Sequence, residues 1–253
     1  MLLWGMGLSL AIADDVVVFG DSWAQGSGED LGRVLDEHST GLTVDNRGVG
    51  GTTAGFWATQ PNALPDAVTE NPDARWVWLS IGGNDIFAHH AAGEGANAGE
   101  RVNTDIRIML DALFSRHPDI RVVIFGYDFV NFEQSTDCIT QAFLLFGPTT
   151  TPAVNQIFLD QIGAIQQAIA DDYPNVTYVP LWGTLQAADG VPGAPNVLLP
   201  SPKNYFADCI HPTHEGYRII HRALYDRYWG QPAPTAIIEG PAQVCVGDDV
   251  QWT

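Results

Sequence analysis

The sequence predicts an α/β protein, a three-layer α/β/α sandwich built on a mostly parallel sheet. Three observations predict it: short continuous apolar runs bounded by turn residues, helical apolar spacing between those runs, and regular alternation of the two. An apolar run without polar alternation suits a strand covered on both faces. Strands separated by helices imply right-handed crossovers and parallel pairing.

Taken in order, Val16 to Phe19 is the first such strand and residues 29–38 the first helix. A shorter candidate strand, Leu42 to Val44, and a helix over 62–70 follow. Trp76 to Ile81 is the third strand and 100–116 the helix after it. Arg121 to Phe125 is the fourth strand, and 153–172 carries Ile157, Ala164, Ile165, Ala168 and Ile169 on one helical stripe. Val176 to Val179 and a helix over 213–228 complete the set.

The chain has 253 residues, enough for one sizeable core. With 16% charged and 45% apolar residues it has a globular composition rather than a disordered one. Thirty acidic against 11 basic residues give a net charge of -19, a field that repels nucleic acid and anionic membranes. Lys203 is the only lysine, which fits either a saline habitat or a compositional bias.

Residues 1–13 form an apolar run ending in Ala11-Ile12-Ala13, the form of a signal peptide with its cleavage site, although a basic start is missing. The run is shorter than the ~20 residues a membrane span needs, so no span is expected. A secreted, extracellular or periplasmic location follows, with the folded domain over 14–230. In an exported chain Cys138 and Cys209 can pair and leave Cys245 over; the alternative is three buried thiols. Residues 231–253 read as a Pro-rich linker and the opening strands of a truncated Ig-like or PKD-like β-sandwich, or else as a tail.

In parallel α/β sheets the chemistry lies beyond the carboxyl ends of the strands. Gly20-Asp21-Ser22 follows the first strand, Asn46 to Thr53 the second, and Gly82-Gly83-Asn84-Asp85 the third. Asp208-Cys209-Ile210-His211 precedes the last helix. A serine nucleophile needs a base, the base needs an orienting carboxylate, and the tetrahedral intermediate needs donors for its oxyanion. Ser22, His211 and Asp208 supply the first three. The N–H groups of Ser22 and Gly51 and the amide of Asn84 supply the last. Each block alone has a plainer reading. Gly-Asp-Ser and Gly-Gly-Asn-Asp are common turn sequences, and Asp-x-x-His suits a helix cap or a metal pair. His89 and His90 read as loop surface, and His38, His117, His214 and His221 as surface or packing residues.

Together the four blocks resemble those of the SGNH or GDSL hydrolase family, in the same order over about residues 15–229. The resemblance implies a flavodoxin-like sandwich, Ser22 as nucleophile, His211 as base, Asp208 as its partner, and Ser22, Gly51 and Asn84 as the oxyanion hole. It implies an esterase or lipase acting on a small-molecule or polysaccharide ester, with no cofactor and no metal. Trp23 stands where the family often carries a smaller residue, so an indole is expected to bound the acyl pocket. Gly50 is the alternative to Gly51, and residues 129–152 are either a lid or a substrate wall. Readings of another kind are a non-catalytic binding module, or a lipase or thioesterase with longer-chain preference.

Overall fold

The computed structural model describes residues 15–230. The expected signal segment, the expected sandwich opening and Cys245 lie outside the described residues. The architecture is the predicted one: a five-stranded sheet in the order β2-β1-β3-β4-β5, with every neighbouring pair parallel. The strands are β1 (Val16–Gly20), β2 (Val44–Gly48), β3 (Trp76–Ser80), β4 (Arg121–Ile124) and β5 (Val176–Tyr178). The ten α-helices among the described residues are α1 (Ser22–Glu37), α2 (Ala54–Ala58), α3 (Ala63–Glu70), α4 (Gly83–Ala91), α5 (Ala98–Arg116), α6 (Thr136–Phe146), α7 (Thr151–Phe158), α8 (Ala164–Asp172), α9 (Thr184–Ala188) and α10 (His214–Tyr228).

Burial explains which strands were legible. All of β1 and β3 is buried, as their apolar runs require. One helical layer packs α1 and α9 on α10, and the other packs α2, α3, α4 and α8 around α5. Trp78 is wholly buried and stacks on Trp229 with centroids 5.0 Å apart, which fastens the end of the last helix to the sheet.

Four expectations are corrected. The second strand is not 42–44 but Val44–Gly48, so Asn46 lies inside it. This is a half-exposed edge strand paired only with β1, and polar residues are tolerated there. The first helix begins at Ser22 rather than near 29. Gly26, Gly28 and Gly32 thin its apolar stripe, and two of these glycines are forced by close packing. A Cβ at Gly28 would stand 2.4 Å from Asn46 Nδ2, and one at Gly26 2.8 Å from the Tyr217 hydroxyl. The stretch 153–172 is two helices joined by a π-turn at Leu159–Gly163. Finally, His89 and His90 sit in α4 rather than a loop, and His90 packs on Phe146 at 4.9 Å.

Candidate active site

The sheet itself brings the blocks together. Gly20, Gly48 and Ser80, the last residues of β1, β2 and β3, lie in register. The turns beyond them carry Ser22, Gly51 and Asn84. The chain leaves β1 for β2 on one side and returns to β3 on the other, so these turns border the crevice at the switch of direction.

Gly20 makes the first turn possible. Its φ is +139°, and a Cβ there would fall 1.8 Å from the Ser80 carbonyl oxygen. Asp21 then caps α1, its Oδ1 accepting the Trp23 N–H at 2.9 Å. Ser22 thereby becomes the first helical residue, and its N–H has no acceptor within the helix. Its side chain is half-buried at the mouth of the crevice.

The imidazole comes from the far end of the chain. Its loop is closed by an antiparallel bridge between Phe206 and Pro212 and by the Ala207 N–H donating to the His211 carbonyl at 2.9 Å. Asp208 Oδ1 accepts the backbone N–H groups of Ile210 and His211, both at 2.7 Å, which folds the four-residue block into a turn. Its other oxygen lies 2.8 Å from His211 Nδ1. His211 Nε2 lies 2.8 Å from Ser22 Oγ. These partners place the ring proton on Nδ1 and leave Nε2 to accept from the serine hydroxyl. Partial burial raises the Asp208 carboxyl, but the imidazole and the two N–H groups outweigh it and hold the group below the usual carboxylate range.

A disulfide between Cys138 and Cys209, with Cα atoms 5.3 Å apart, ties this turn to α6. It is the pairing that the export argument anticipates, and it fixes the loop between Asp208 and His211 to the body of the domain.

The donor side is equally ordered. Asn46 Nδ2 donates to the Gln25 carbonyl at 2.8 Å and its Oδ1 accepts the Gly48 N–H at 3.0 Å, clamping the end of β2 to α1. Gln25 Oε1 accepts the Gly50 N–H at 3.0 Å. Gly51, at φ +78°, has no acceptor for its N–H among the described residues. Asn84 donates one amide hydrogen to the Thr52 carbonyl at 2.9 Å and retains a second. Asp85 accepts the N–H groups of Ala54 and Gly55 at 2.8 and 3.1 Å, joining α2 to α4, and burial raises its carboxyl.

Beneath the serine lies a connection that the sequence did not disclose. Tyr127 donates to Asp21 Oδ2 at 2.5 Å and accepts the Gly83 N–H at 2.8 Å. One buried hydroxyl thus joins the turn of Ser22 to the turn of Asn84. Burial pushes the Asp21 carboxyl up to about 7, although the Tyr127 hydroxyl and the Trp23 N–H oppose the shift. Tyr127 stands just past β4, at the carboxyl end of the sheet where chemistry is sought, and that position is the one signal in the sequence that points to it.

Two recesses flank Ser22. One, between Trp23, Asn84, Phe87, Tyr127, Phe158 and Ile210, has a volume of only about 10 Å³, room for roughly one water. Trp23 bounds it, and Val130 adds a wall from the 129–152 segment. The other, about 370 Å³, is bordered by Gln25, Ala207, His211, Pro212, His214 and Tyr217. Larger surface hollows, of about 400, 670 and 860 Å³, lie elsewhere and contain none of Ser22, Asp208 or His211. Among the described residues no group of three His, Cys, Asp or Glu side chains is placed to hold a metal ion.

The sequence profile of the GDSL-like Lipase/Acylhydrolase family matches residues 18–219, most of the chain. The chain belongs to that family. The chain also shares its fold with solved structures at low identity. An α/β hydrolase from the metagenome of Lake Arreo, Spain, superposes with a TM-score of 0.57 at 16% identity, covering 84% of this chain and 93% of the other. An acetylxylan esterase from Geobacillus stearothermophilus gives 0.56 at 14%, covering 84% and 92%. A GDSL-like lipase from Bacteroides thetaiotaomicron gives 0.53 at 18%, covering 84% and 86%. No curated protein sequence matches the GDSL-like chain at a significant level. Among the described residues, no helix is long and apolar enough to cross a membrane.

Proposed function

We propose that this acylhydrolase is an exported serine esterase that cleaves short acyl esters by way of a covalent acyl-enzyme. The observation that carries the reading is the continuous relay Ser22 Oγ to His211 Nε2 to Asp208, 2.8 Å at each step. Ser22 attacks the ester carbonyl while His211 takes its proton, and Asp208 stabilises the imidazolium that forms. The tetrahedral oxyanion is met by the N–H groups of Ser22 and Gly51 and the free amide hydrogen of Asn84. His211 then protonates the leaving alcohol, and a water activated by the same imidazole releases the acid.

The two recesses divide the substrate. The leaving oxygen must reach the proton on His211 Nε2, so the groove that His211 borders takes the alcohol. The acyl group enters the small recess beside Asn84, where roughly one water's volume suits an acetyl methyl and little more. The disulfide accords with export. The catalytic domain is residues 14–230, after a cleaved signal.

A longer-chain reading has one observation in its favour. Ile139, Phe143 and Leu144 of α6 are 57, 57 and 71% exposed on the helix that the disulfide ties to the His211 turn, an apolar face suited to lipid. Turnover of p-nitrophenyl esters from acetate to octanoate separates the two. The short-acyl reading expects a monotonic fall in kcat/KM from acetate and loss of turnover in Ser22→Ala. A maximum at hexanoate or beyond favours the lipase, and turnover that survives in Ser22→Ala rejects the mechanism.

A further inference from the structure

Beside the relay stands a second aspartate–histidine pair that the mechanism above does not use. His214 Nδ1 lies 2.8 Å from Asp30 Oδ2, the imidazole 70% exposed and the carboxylate wholly buried. Burying a carboxylate costs stability unless it is well partnered. Here the second oxygen has no hydrogen-bond partner among the described residues, and Arg33 Nη1 comes only to 4.0 Å. A buried acid held against an exposed ring does little for the core. It does fix the ring: with the Nδ1 proton directed at Asp30, Nε2 is left as an oriented acceptor.

That ring lines the same groove as Ser22 and His211, the one assigned above to the alcohol. Two further unpartnered polar groups face the groove. Gln25 holds Gly50 through its Oε1, and its Nε2 has no acceptor among the described residues. Tyr217 is only 4% exposed, yet its hydroxyl has no hydrogen-bond partner among the described residues. It lies against Gly26, where a Cβ would come within 2.8 Å of it. Glycine inside a helix is destabilising relative to alanine. At position 26 it keeps the Tyr217 hydroxyl uncovered.

We propose that His214, oriented by Asp30, forms with Gln25 and Tyr217 a subsite for the alcohol part of the ester, and that it selects a polyhydroxylated alcohol, a sugar or polyol. The three groups offer an acceptor, a donor and a group that can be either, the complement of vicinal hydroxyls. An alkyl alcohol leaves all three unpaired, and a site built to hydrogen-bond discriminates against such a substrate. Asp30 is a positioning residue in this scheme, acting through the ring. The inference rests on the ester-hydrolase reading of Ser22, His211 and Asp208.

Steady-state kinetics on glucose 6-acetate, n-hexyl acetate and p-nitrophenyl acetate test it with the full chain, His214→Ala and Asp30→Asn. The wild type should prefer the sugar acetate to the hexyl ester. His214→Ala should lower kcat/KM for glucose 6-acetate by about 5–10-fold more than for hexyl acetate, chiefly through KM, the size expected for one lost hydrogen bond. Asp30→Asn should move the same ratio in the same direction by less. A wild-type preference for hexyl acetate, or equal losses on all three esters in His214→Ala, would overturn the subsite while leaving the hydrolase in place. Wild-type protein inert on all three would overturn the hydrolase reading and the subsite with it.

Discussion

The Tyr127 hydroxyl lies 2.5 Å from Asp21 Oδ2 and, through the Gly83 N–H, locks the nucleophile turn to the turn that carries Asn84. Two loops whose spacing the proposed mechanism depends on are therefore joined below Ser22 and Asn84 by one buried side chain. Tyr127→Phe should keep the ring packed on Trp23 and leave Asp21 Oδ2 and the Gly83 N–H without that partner. Each buried group so exposed costs about 1–3 kcal/mol. The expected result is a lower melting temperature and a fall in kcat larger than any change in KM, read by thermal denaturation and ester kinetics on one preparation. An unchanged kcat would show that the link does not position the oxyanion donors.

Stability should also carry the signature of Asp21. Its folded carboxyl is raised to about 7 by burial, above its ordinary value of 3.8. Between those values the folded state holds a proton that the unfolded state has released, so stability falls as pH rises from about 4 to about 7. Asp128, pushed up to about 6 by burial, contributes with the same sign and ends near pH 6. Asp208 acts oppositely: its carboxyl is lowered, so its contribution is present above pH 4 and lost in stronger acid. Asp21→Asn removes one term. Its stability relative to the wild type should increase between pH 4 and pH 8, by on the order of a few kcal/mol. A difference that stays constant with pH would exclude a proton on Asp21.

The disulfide gives a separate prediction. It closes a loop of sequence separation 71 and grips the turn that carries Asp208 and His211. Removing a native bridge typically costs about 2–5 kcal/mol. The Cys138→Ser, Cys209→Ser double variant should unfold at lower denaturant and lose kcat under conditions where it remains folded. Full activity in the folded variant would mean that the Phe206–Pro212 bridge alone holds the turn.

How much of this was legible in the sequence follows from burial. β1 and β3 are buried throughout and wrote themselves as apolar runs, whereas β2 is an edge strand whose Asp45, Asn46 and Arg47 read as a loop. The helix that begins at Ser22 reads as starting only near 29, because Gly26 and Gly28 serve Tyr217 and Asn46 rather than the apolar stripe. The four blocks that resemble the family's are short and local, so spacing shows them. Tyr127 is marked only by its place after β4, and its partner Asp21 lies 106 positions away; Asp30 and His214 stand 184 positions apart, and no local pattern encodes either contact. The family spacing from Asn46 favours Gly51 over Gly50, and the Gly50 N–H is held by Gln25, a partner 25 positions away that local spacing does not show.

The small recess beside Asn84 is the proposed place of the acyl group, and Phe87 forms part of its wall at 9% exposure. Phe87→Ala should open it and shift the p-nitrophenyl ester preference from acetate towards butyrate and hexanoate, at some cost in stability from the cavity. A profile identical to the wild type would place the acyl chain elsewhere.

The central claim is that Ser22 is the nucleophile of an acyl-transfer relay with His211 and Asp208. Treatment with a fluorophosphonate followed by peptide mass spectrometry tests it most directly. One adduct is expected, on the peptide containing Ser22, formed in the wild type and absent from Ser22→Ala. Labelling of another residue, or equal labelling of Ser22→Ala, would contradict it.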